Sequence, residues 1–584
     1  MANAFPLNAL TEQGFLEDQL ARLMVRLCQN AGIQLTPEQQ IALEQLARHA
    51  SLSTRQGIIA ARLPDSINLA VLPSDLPALG QAGEYKPLII ENGYIWLNRY
   101  WHYEQRLADN IRARLHPLTL SNLQQERIET VLDDWFPYAD TLLQRQAVAQ
   151  AAKSPFLIIS GGPGTGKTST VTRLLCLLIE QLDIAPQRIR LAAPTGKAAM
   201  RLQEAIQQTK RSLNLSPELA EKIPEQGSTL HRLLGYLPGR THFAHHAHHP
   251  IPADVVIVDE ASMIDISLMT HLFEAVRLDA RLILLGDKDQ LASVETGSIF
   301  RDLCARHSKR KHPLDQFTVV LQKSWRFSAD SGIGQLARAI LQQQEAKVLK
   351  LLKQPPADLV WNSKAVLDKH YLEHAWADYL KAVKNWPAQA TEQAEQPTDL
   401  AALTGLFKAF NHFRILTPLR QGNLGTEQIN QTLSRLLAEA LGNANKRQAL
   451  WYAGRPVMVT KNDYRQHLFN GDIGITLADT QGQLRVWFAH PATGSFRAIA
   501  PVRLPQHETT WAMTIHKSQG SEFEHVLMLL PESAESRLLV RELIYTGITR
   551  ARQRLDVMGK DHVLLTAIRR SLPDTSRIRE RLRY

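Results

Sequence analysis

From about residue 135 onward, short apolar runs alternate with stretches of helical periodicity. Each run is rich in Ile, Leu and Val and ends in a polar or glycine-containing turn. The first series comprises FLIIS (156–160), IRLAAP (189–194), DVVIVDE (254–260) and RLILLGD (281–287). Continuous apolar strands separated by helices are typical of a parallel sheet covered on both faces. An α/β domain is therefore predicted here.

A second series predicts a second α/β domain in tandem with the first. Its runs are FTVVLQ (317–322), FRILTP (413–418), HVLMLLP (525–531) and LDVMG (555–559). Between 454 and 503, shorter strand-like pieces with turn signals at Asn470-Gly471 and Gln481-Gly482 predict a small SH3-like β-barrel inserted into this second domain. Residues 385–400 are polar and predict a surface loop.

Residues 1 to about 130 have the periodicity of amphipathic helices and contain one predicted hairpin. The hairpin is PLIIENGYIWLNRYW, with Asn92-Gly93 at the turn between two apolar runs. The predicted organisation is a mainly helical N-terminal domain over 1–130, a first α/β domain over 131–315 and a second over 316–584.

Composition adds a preference for polyanionic partners. The chain has 584 residues and a formal net charge of +10, which favours nucleic acid without requiring it. Its three cysteines, Cys28, Cys176 and Cys304, lie too far apart for a metal motif or a disulfide framework. The sequence has neither a run long enough to span a membrane nor a basic leader, so a cytoplasmic location is expected.

A phosphate-binding loop follows the strand FLIIS and precedes the helical run TVTRLLCLLIEQL. It consists of Gly161, Gly162, Pro163, Gly164, Thr165, Gly166, Lys167, Thr168 and Ser169. Glycines let backbone N–H groups surround phosphates, and the helix N-terminus adds partial positive charge. Lys167 is expected to reach the β- and γ-phosphates, and Thr168 to bind Mg²⁺. An ATP site is predicted.

Acidic and amide residues follow two later strands of the first series. Because parallel strands end at one edge of a sheet, Asp259 is expected beside the phosphate loop as an Mg²⁺ ligand, and Glu260 as the group that activates water. Gln290, in GDKDQ, is expected near the γ-phosphate. Arg326 and Arg550 are candidates for stabilising transition-state charge from the second domain.

These motifs, in this order, resemble the RecD family of superfamily 1 helicases, the alpha subunits of bacterial exonuclease V. The matching segments include LQRQAV (143–148), GGPGTGKTST (161–170), AAPTGKAAMRL (192–202), STLHRLLG (228–235), VDEASM (258–263), GDKDQLASVETGSIF (286–300), LQKSWRF (321–327), GRPVMVTKNDY (454–464), LFNGDIGI (468–475), ETTWAMTIHKSQGSEF (508–523) and LIYTGITRARQRL (543–555). The resemblance implies two RecA-like P-loop domains that use ATP and Mg²⁺.

The resemblance also implies roles for further residues. Gln144 would bind adenine, and eight positions would lie along single-stranded DNA: Thr195, Lys197, Thr229, His231, Thr514, His516, Lys517 and Gln519. Hydroxyls, amides and lysines suit backbone contacts that do not distinguish base sequence. The family implies a 5′-to-3′ helicase motor that acts with RecB and RecC at double-strand ends, in break repair and homologous recombination, with the nuclease site in RecB.

The N-terminal region has no phosphate loop or catalytic pair in its sequence, and the resemblance implies that it docks onto RecC. The aromatic residues beside the predicted hairpin fit an interface, although they also fit a core: Tyr94, Trp96, Tyr100, Trp101 and Tyr103. A His-rich stretch, 242–249, could bind metal, but neither Cys nor an acid accompanies it.

Two alternatives remain open. One is a stand-alone RecD-like helicase that works without RecB and RecC. Such chains typically carry a longer N-terminal extension than the roughly 140 residues that precede this motor. The other is a scaffolding subunit with a degenerate NTPase site, and the intact Lys167, Asp259 and Glu260 argue against it.

Overall fold

The computed structural model describes residues 14–583, except 214, 238, 241, 293–295, 306–310, 329, 365–366, 387–399, 442–449, 464, 480 and 491–494. Its N-terminal part combines helices with a four-stranded sheet of order β1-β4-β3-β2. The elements are α1 (Phe15–Asn30), α2 (Pro37–Arg55), β1 (Ala61–Arg62), β2 (Leu79–Gln81), β3 (Leu88–Glu91), β4 (Tyr94–Leu97) and α3 (Asn98–Arg112).

The predicted hairpin is confirmed as β3 and β4, which pair antiparallel with Glu91 opposite Tyr94. Asn92 and Gly93 both have positive φ, 49° and 79°, as a two-residue type I′ turn requires. This turn geometry explains why an Asn-Gly pair stands between the two apolar runs.

The first α/β domain contains a six-stranded sheet, order β10-β5-β9-β8-β6-β7, in which every pairing is parallel. Its elements are α4 (Asn122–Trp135), α5 (Leu142–Lys153), β5 (Phe156–Gly161), α6 (Lys167–Glu180), β6 (Ile189–Ala193), α7 (Gly196–Ser212), α8 (Pro217–Lys222), β7 (Gly227–Thr229), α9 (Leu230–Leu233), β8 (Val255–Val258), α10 (Ile266–Ala275), β9 (Arg281–Gly286), α11 (Ile299–Cys304) and β10 (Thr318–Leu321). All four runs of the first predicted series lie in this sheet.

One prediction about this sheet is wrong. The run 317–322 was assigned to the second series, but β10 pairs with β5, with Thr318 opposite Ile158. The first sheet therefore continues past residue 315. An apolar strand of this length fits either sheet equally well, and only its tertiary pairing decides between them.

The rest of the chain forms two further sheets. Its elements are α12 (Gly332–Leu341), α13 (Glu345–Lys353), β11 (Leu359–Asn362), α14 (Lys369–Ala375), α15 (Ala377–Lys384), α16 (Leu400–His412), β12 (Phe413–Thr417), α17 (Thr426–Ala440), β13 (Pro456–Val459), β14 (Ile473–Ala478), β15 (Leu484–His490), β16 (Ser495–Ile499), β17 (His507–Thr509), β18 (Ala512–Thr514), β19 (Phe523–Leu529), α18 (Arg541–Ile548), β20 (Ala551–Met558), α19 (Asp561–Arg569) and α20 (Ile578–Arg581).

The second α/β sheet has the order β11-β20-β19-β12-β18, again parallel throughout. Strands β13–β17 form a separate antiparallel sheet of order β16-β15-β14-β13-β17, inserted between β12 and β18. It covers the region where a β-barrel was predicted. Within the described part of the chain its outer strands β16 and β17 are not paired with each other, so closure into a barrel remains a prediction.

Helix α3 packs on the first α/β domain as well as on the N-terminal sheet. Its buried residues Leu107, Ala108 and Ile111 share a hydrophobic core with β8, β9 and α10. Arg114, just beyond α3, is fully buried and donates hydrogen bonds to the carbonyls of Phe273 and Val276. The region up to residue 130 is thus partly integrated into the first domain.

The last residues, 572–583, return to the N-terminal part and are called here the C-terminal strap. The Thr575 carbonyl accepts hydrogen bonds from the amides of Ile59 (2.8 Å) and Ala60 (3.1 Å). Asp302 accepts from the hydroxyls of Thr575 and Ser576 at 2.7 and 2.6 Å. The strap therefore joins the N-terminal part to the first α/β domain.

A buried carboxylate, Glu104, also holds the strap. It accepts hydrogen bonds from Trp96 Nε1 at 2.7 Å and from the Arg577 amide. Burial raises the pKa of Glu104 to about 7, although Arg581 opposes the shift.

None of the described helices is long and apolar enough to cross a membrane.

Candidate nucleotide site and nucleic-acid path

The phosphate loop connects β5 to α6 as the sequence predicts. Gly164 and Gly166 have φ of 73° and 85°, a conformation that glycine adopts without strain. Helix α6 begins at Lys167, whose Nζ donates to the carbonyls of Gly161 (2.6 Å) and Gly162 (3.3 Å). The loop is therefore preformed, and the Lys167 ammonium group lies inside it.

Two of the loop glycines are in close contact with residues from later in the chain. A Cβ at Gly164 would lie 2.3 Å from Cβ of Arg326, and a Cβ at Gly162 would lie 2.8 Å from Oη of Tyr545. The Trp325 amide donates to the Gly164 carbonyl at 2.8 Å. The loop is thus part of an interface with segments that lead into and belong to the second α/β domain.

The two acids after β8 are placed beside the loop. Burial, with a contribution from Glu260, raises the pKa of Asp259 to about 6, and Lys167 opposes the shift. The Glu260 amide donates to Asp259 Oδ1 at 2.8 Å, and Glu260 has left-handed backbone angles, φ 52° and ψ 38°. A non-glycine residue in that region costs about 1 kcal/mol or more, and such strain is concentrated at functional sites.

A third buried acid, Asp287, follows β9 and was missed by the sequence analysis. Burial raises its pKa, and Lys167 opposes the shift. Its Oδ2 accepts hydrogen bonds from Gln290 Nε2 at 3.0 Å and Tyr545 Oη at 3.1 Å. Its position at the end of a strand of the first series was the available signal. Tyr545 lies in the matching segment 543–555, but nothing in that segment indicated its contact with Asp287.

The two candidate arginines lie around a carboxylate that was also missed, Glu522. Arg326 Nη1 and Nη2 contact the two Glu522 oxygens at 2.7 and 2.8 Å, and Arg552 contacts Oε2 at 3.0 Å. Burial disfavours the Glu522 carboxylate, but Arg326 and Arg550 outweigh burial and lower its pKa to about 2. Arg550 is 2% exposed and donates to the carbonyls of Thr546 (3.0 Å) and Ser521 (3.1 Å).

Gln144, the expected adenine contact, lies on α5 next to the loop. Its Nε2 donates to the Thr165 carbonyl at 3.3 Å. Its Oε1 is buried and accepts no hydrogen bond from any described residue. A buried amide oxygen of this kind can accept from the exocyclic amine of an adenine ring.

The first-domain residues expected along DNA meet at one edge of the sheet. Ala193 of β6 is opposite Thr229 of β7, and Thr195 follows two residues later. The Thr195 and Thr229 hydroxyls accept from the amides of Ala198 and Arg232, each at 3.2 Å. Each threonine therefore caps the helix that follows it.

The two remaining first-domain candidates for DNA contact, Lys197 and His231, have lowered pKa values. Burial, followed by the nearby guanidinium groups of Arg201 and Arg414, lowers the pKa of Lys197 to about 7. Burial also lowers the pKa of His231. A phosphate group beside either residue would favour its protonated form.

The second-domain candidates divide into two groups. Thr514, His516 and Lys517 are at least partly accessible, and Lys517 Nζ contacts Glu508 Oε1 at 2.7 Å. Gln519 is instead buried, and its Nε2 donates to the Leu291 carbonyl at 2.6 Å. Gln519 thus contacts the first domain, next to Gln290, and does not line an open path.

The His-rich stretch is exposed. The rings of His245 and His249 stack with centroids 5.0 Å apart. Within the described ranges no group of three or more His, Cys, Asp or Glu side chains is arranged to hold a metal ion.

Family models match both α/β domains. The model of an AAA domain matches residues 144–296, and that of a UvrD-like helicase C-terminal domain matches residues 509–558. The RecBCD enzyme subunit RecD of Haemophilus influenzae is 36% identical over 526 residues, which cover 83% of this chain and 80% of that protein. This chain belongs to the RecD family.

As a RecD-family protein, the chain is an ATP-dependent DNA helicase of superfamily 1, and the resemblance drawn from its motifs is confirmed. The ATP-dependent RecD2 DNA helicase of Deinococcus radiodurans is 31% identical over 80% of this chain and 55% of that protein. A solved Pif1 helicase from Bacteroides, in complex with ADP-AlF3 and ssDNA, is 17% identical with a TM-score of 0.38, covering 78% of this chain and 95% of that one.

Proposed function

We propose that this ATP-dependent helicase is the 5′-to-3′ motor of a RecBCD-type helicase–nuclease that acts at duplex DNA ends. The observation that carries the motor role is the contact of Gly162 and Gly164 with Tyr545 and Arg326. A nucleotide in this loop would touch elements on both sides of the interface. Binding and hydrolysis would therefore shift the equilibrium between two relative positions of the domains.

In the proposed hydrolysis, Lys167 exchanges the carbonyls of Gly161 and Gly162 for β- and γ-phosphate oxygens, which are stronger, charged acceptors. Glu260 orients the attacking water and accepts its proton, with Gln290 beside it. Arg326 and Arg550 stabilise the charge that develops on the transferred phosphoryl group. To take this role, Arg326 would have to exchange its ion pair with Glu522 for the phosphoryl oxygens.

The residues beside the loop fit a magnesium ion. Thr168 and Asp259 offer a hydroxyl and a carboxylate oxygen, the hard donors that Mg²⁺ prefers. The raised pKa of Asp259 indicates a carboxylate whose negative charge is poorly compensated, and a divalent cation would compensate it. When bound, the ion would partly neutralise the negative charge of the β- and γ-phosphates.

Coupling to DNA is proposed to run through Leu291. Its amide donates to Thr546 Oγ1 at 2.8 Å, and its carbonyl accepts from Gln519. Thr546 belongs to the helix that leads to Arg550, whereas Gln519 follows the DNA candidates His516 and Lys517. A movement of either second-domain segment would therefore displace the segment that carries Gln290.

The motor role is tested with duplexes that carry a 5′ or a 3′ single-stranded tail. The wild-type chain should hydrolyse ATP in response to single strands and unwind the 5′-tailed duplex, and Lys167→Gln should do neither. Binding should weaken steeply with salt and show little base preference. Unwinding confined to 3′-tailed duplexes would contradict the polarity.

RecB-like and RecC-like subunits are the proposed partners, and helices α1 and α2 offer a docking surface. Leu16 and Leu23, seven residues apart on α1, are 60% and 49% exposed, and Ile41 of α2 is also exposed. Residues seven apart lie on one face of a helix. This surface is separate from the aromatic residues Trp96 and Trp101, which are buried.

Docking is tested by Leu16→Asp/Leu23→Asp in the full chain. The double variant should keep DNA-stimulated ATPase activity but fail to co-purify with the other two subunits. Val502→Asp, which places the same charge at a 91% exposed apolar residue between β16 and β17, is the matched control and should co-purify. Removal of residues 1–130 would be a poorer test, because α3 contributes to the core of the first domain.

The stand-alone alternative is distinguished by purification from the native host. This chain is 36% identical to the Haemophilus influenzae RecD subunit and 31% identical to the RecD2 helicase, which favours a subunit of a complex. A native chain that elutes alone, and unwinds DNA unaided, would favour the stand-alone helicase.

A further inference from the structure

A cluster of rings lies beside the proposed DNA path and has no part in the ATP site. The ring centroids of His231 and Tyr236 are 5.9 Å apart, His231 and Phe243 are 5.9 Å apart, and Tyr236 and Phe243 are 6.4 Å apart. Phe243 packs further inward against His271 at 5.3 Å. Tyr236, in contrast, is 46% exposed. The cluster thus presents an exposed aromatic surface that is anchored by the half-buried Phe243, which packs against the core of the first domain.

The loop that carries Tyr236 is fixed by its backbone. The Tyr236 amide donates to the His231 carbonyl at 2.8 Å, and the Ala244 amide to the Gly235 carbonyl at 3.0 Å. Gly235 has φ of 71°, and a Cβ there would lie 2.7 Å from the Ala244 Cβ. The close approach of Ala244 requires glycine at position 235, and these contacts fix the backbone from which the Tyr236 side chain projects.

The charge around the ring cluster suits a polyanion. Between Glu225 and Asp254 the sequence contains no acidic residue, whereas Arg232 and Arg240 flank Tyr236. Two acids from neighbouring elements lie near the cluster. The negative charge of Asp265 favours the protonated form of His231, and Glu274 contacts Arg106 and His271. Glu274 is therefore largely neutralised by its own partners.

The position relative to the sheet points to the ligand. Thr229 and Thr195 lie at one edge of the first sheet, and the Tyr236 loop follows Thr229 directly through α9. We propose that Tyr236, supported by His231 and Phe243, stacks on an unpaired base of single-stranded DNA. This inference rests on the proposed DNA path. Stacking would add affinity without selecting a sequence, because every base has an aromatic face.

The test compares Tyr236→Ala with Tyr236→Phe in the full-length chain, using fluorescent oligothymidine. Alanine should weaken binding roughly 10- to 100-fold, while phenylalanine, which keeps the ring, should bind like wild type. The slope of log K against log salt should stay unchanged in Tyr236→Ala because no phosphate contact is lost. Lys517→Ala should instead reduce that slope by about one.

A second readout is the fluorescence of 2-aminopurine placed along the strand. At one position it should be quenched by wild type and by Tyr236→Phe but not by Tyr236→Ala. Tyr85→Ala, which removes a 90% exposed tyrosine in the N-terminal part, is the control and should change neither readout.

Normal DNA binding and quenching by Tyr236→Ala would overturn the proposal, as would a reduced salt slope in that variant. Loss of subunit assembly with intact DNA binding would also overturn it and would assign the ring cluster to a protein partner. A wild-type chain that binds no single strand would instead refute the proposed function itself.

Discussion

Tyr545 Oη donates a hydrogen bond to Asp287 Oδ2 across the interface between the two α/β domains, at 3.1 Å. Burial raises the pKa of the Tyr545 hydroxyl and of the Asp287 carboxyl, so the contact lies in a water-poor interface. The tyrosine belongs to the helix that precedes Arg550. Its hydroxyl therefore links the helix of the arginine candidate to an acid beside Lys167.

Tyr545→Phe should lower kcat for DNA-stimulated ATP hydrolysis roughly tenfold and leave KM for ATP nearly unchanged, because the phosphate loop keeps its own contacts. A hydrogen bond to a charged group contributes about 1.5–3 kcal/mol. Tyr371→Phe is the matched control, since Tyr371 Oη donates to buried Asp556 Oδ2 at 2.6 Å, outside the nucleotide site. Both variants should lose stability, but only the first should lose kcat. Equal kcat in both would contradict the coupling role.

Lys167→Ala should reduce ATPase activity to below about a tenth of wild type with little change in Tm. Among the described residues, the ammonium group donates hydrogen bonds to the carbonyls of Gly161 and Gly162 alone, so its removal creates no core cavity. The measurement is steady-state hydrolysis with a parallel melting curve. Lys153→Ala, which breaks an exposed ion pair with Glu129, should leave both unchanged.

The two arginines should differ in their effect on stability. Arg550→Ala should cut turnover on the order of a thousandfold, while nucleotide binding changes much less. It should also lower Tm, because it removes the donor to two buried carbonyls. Arg326→Ala should lower turnover with a smaller loss of Tm, since its partner Glu522 retains Arg552. If nucleotide affinity falls in parallel with turnover, the assignment as a transition-state residue is wrong.

Stability should depend on pH through Glu104. Its pKa in the folded chain, about 7, lies above the ordinary 4.5, so its favourable contribution is present below pH 4.5 and is lost as pH rises to 7. Relative to Glu104→Gln, wild type should lose ~3 kcal/mol over this interval, measured by urea unfolding at several pH values. Burial also raises the pKa of Asp302, but Asp302 is present in both chains, so its contribution cancels in the difference between their free energies of unfolding. A difference that does not vary with pH would exclude a buried, proton-binding Glu104.

Much of the fold follows from local sequence, because a continuous run of β-branched residues such as 255–258 favours a strand buried on both faces. The Asn92-Gly93 turn and the phosphate loop were equally predictable, since both depend on backbone angles that few residues accept. The three-residue β7 was missed because it is too short to show a periodicity.

The contacts of the site were less predictable than its motifs. Asp287 and Glu522 stand in segments that were recognised, but their partners Tyr545 and Arg326 come from distant parts of the chain. Gln519 matches a motif associated with DNA, yet the fold turns its amide towards Leu291. Only the docking of one domain on the other determines these pairs.

The C-terminal strap sets an order for biosynthesis. At about 5–20 residues per second, the N-terminal part emerges from the ribosome long before residues 575–577, which supply partners to Glu104 and Asp302. Until residues 575–577 have left the ribosome, these two carboxylates lack those partners. A truncation that removes residues 575–577 would make that state permanent, and the truncated chain would then be a substrate for proteases.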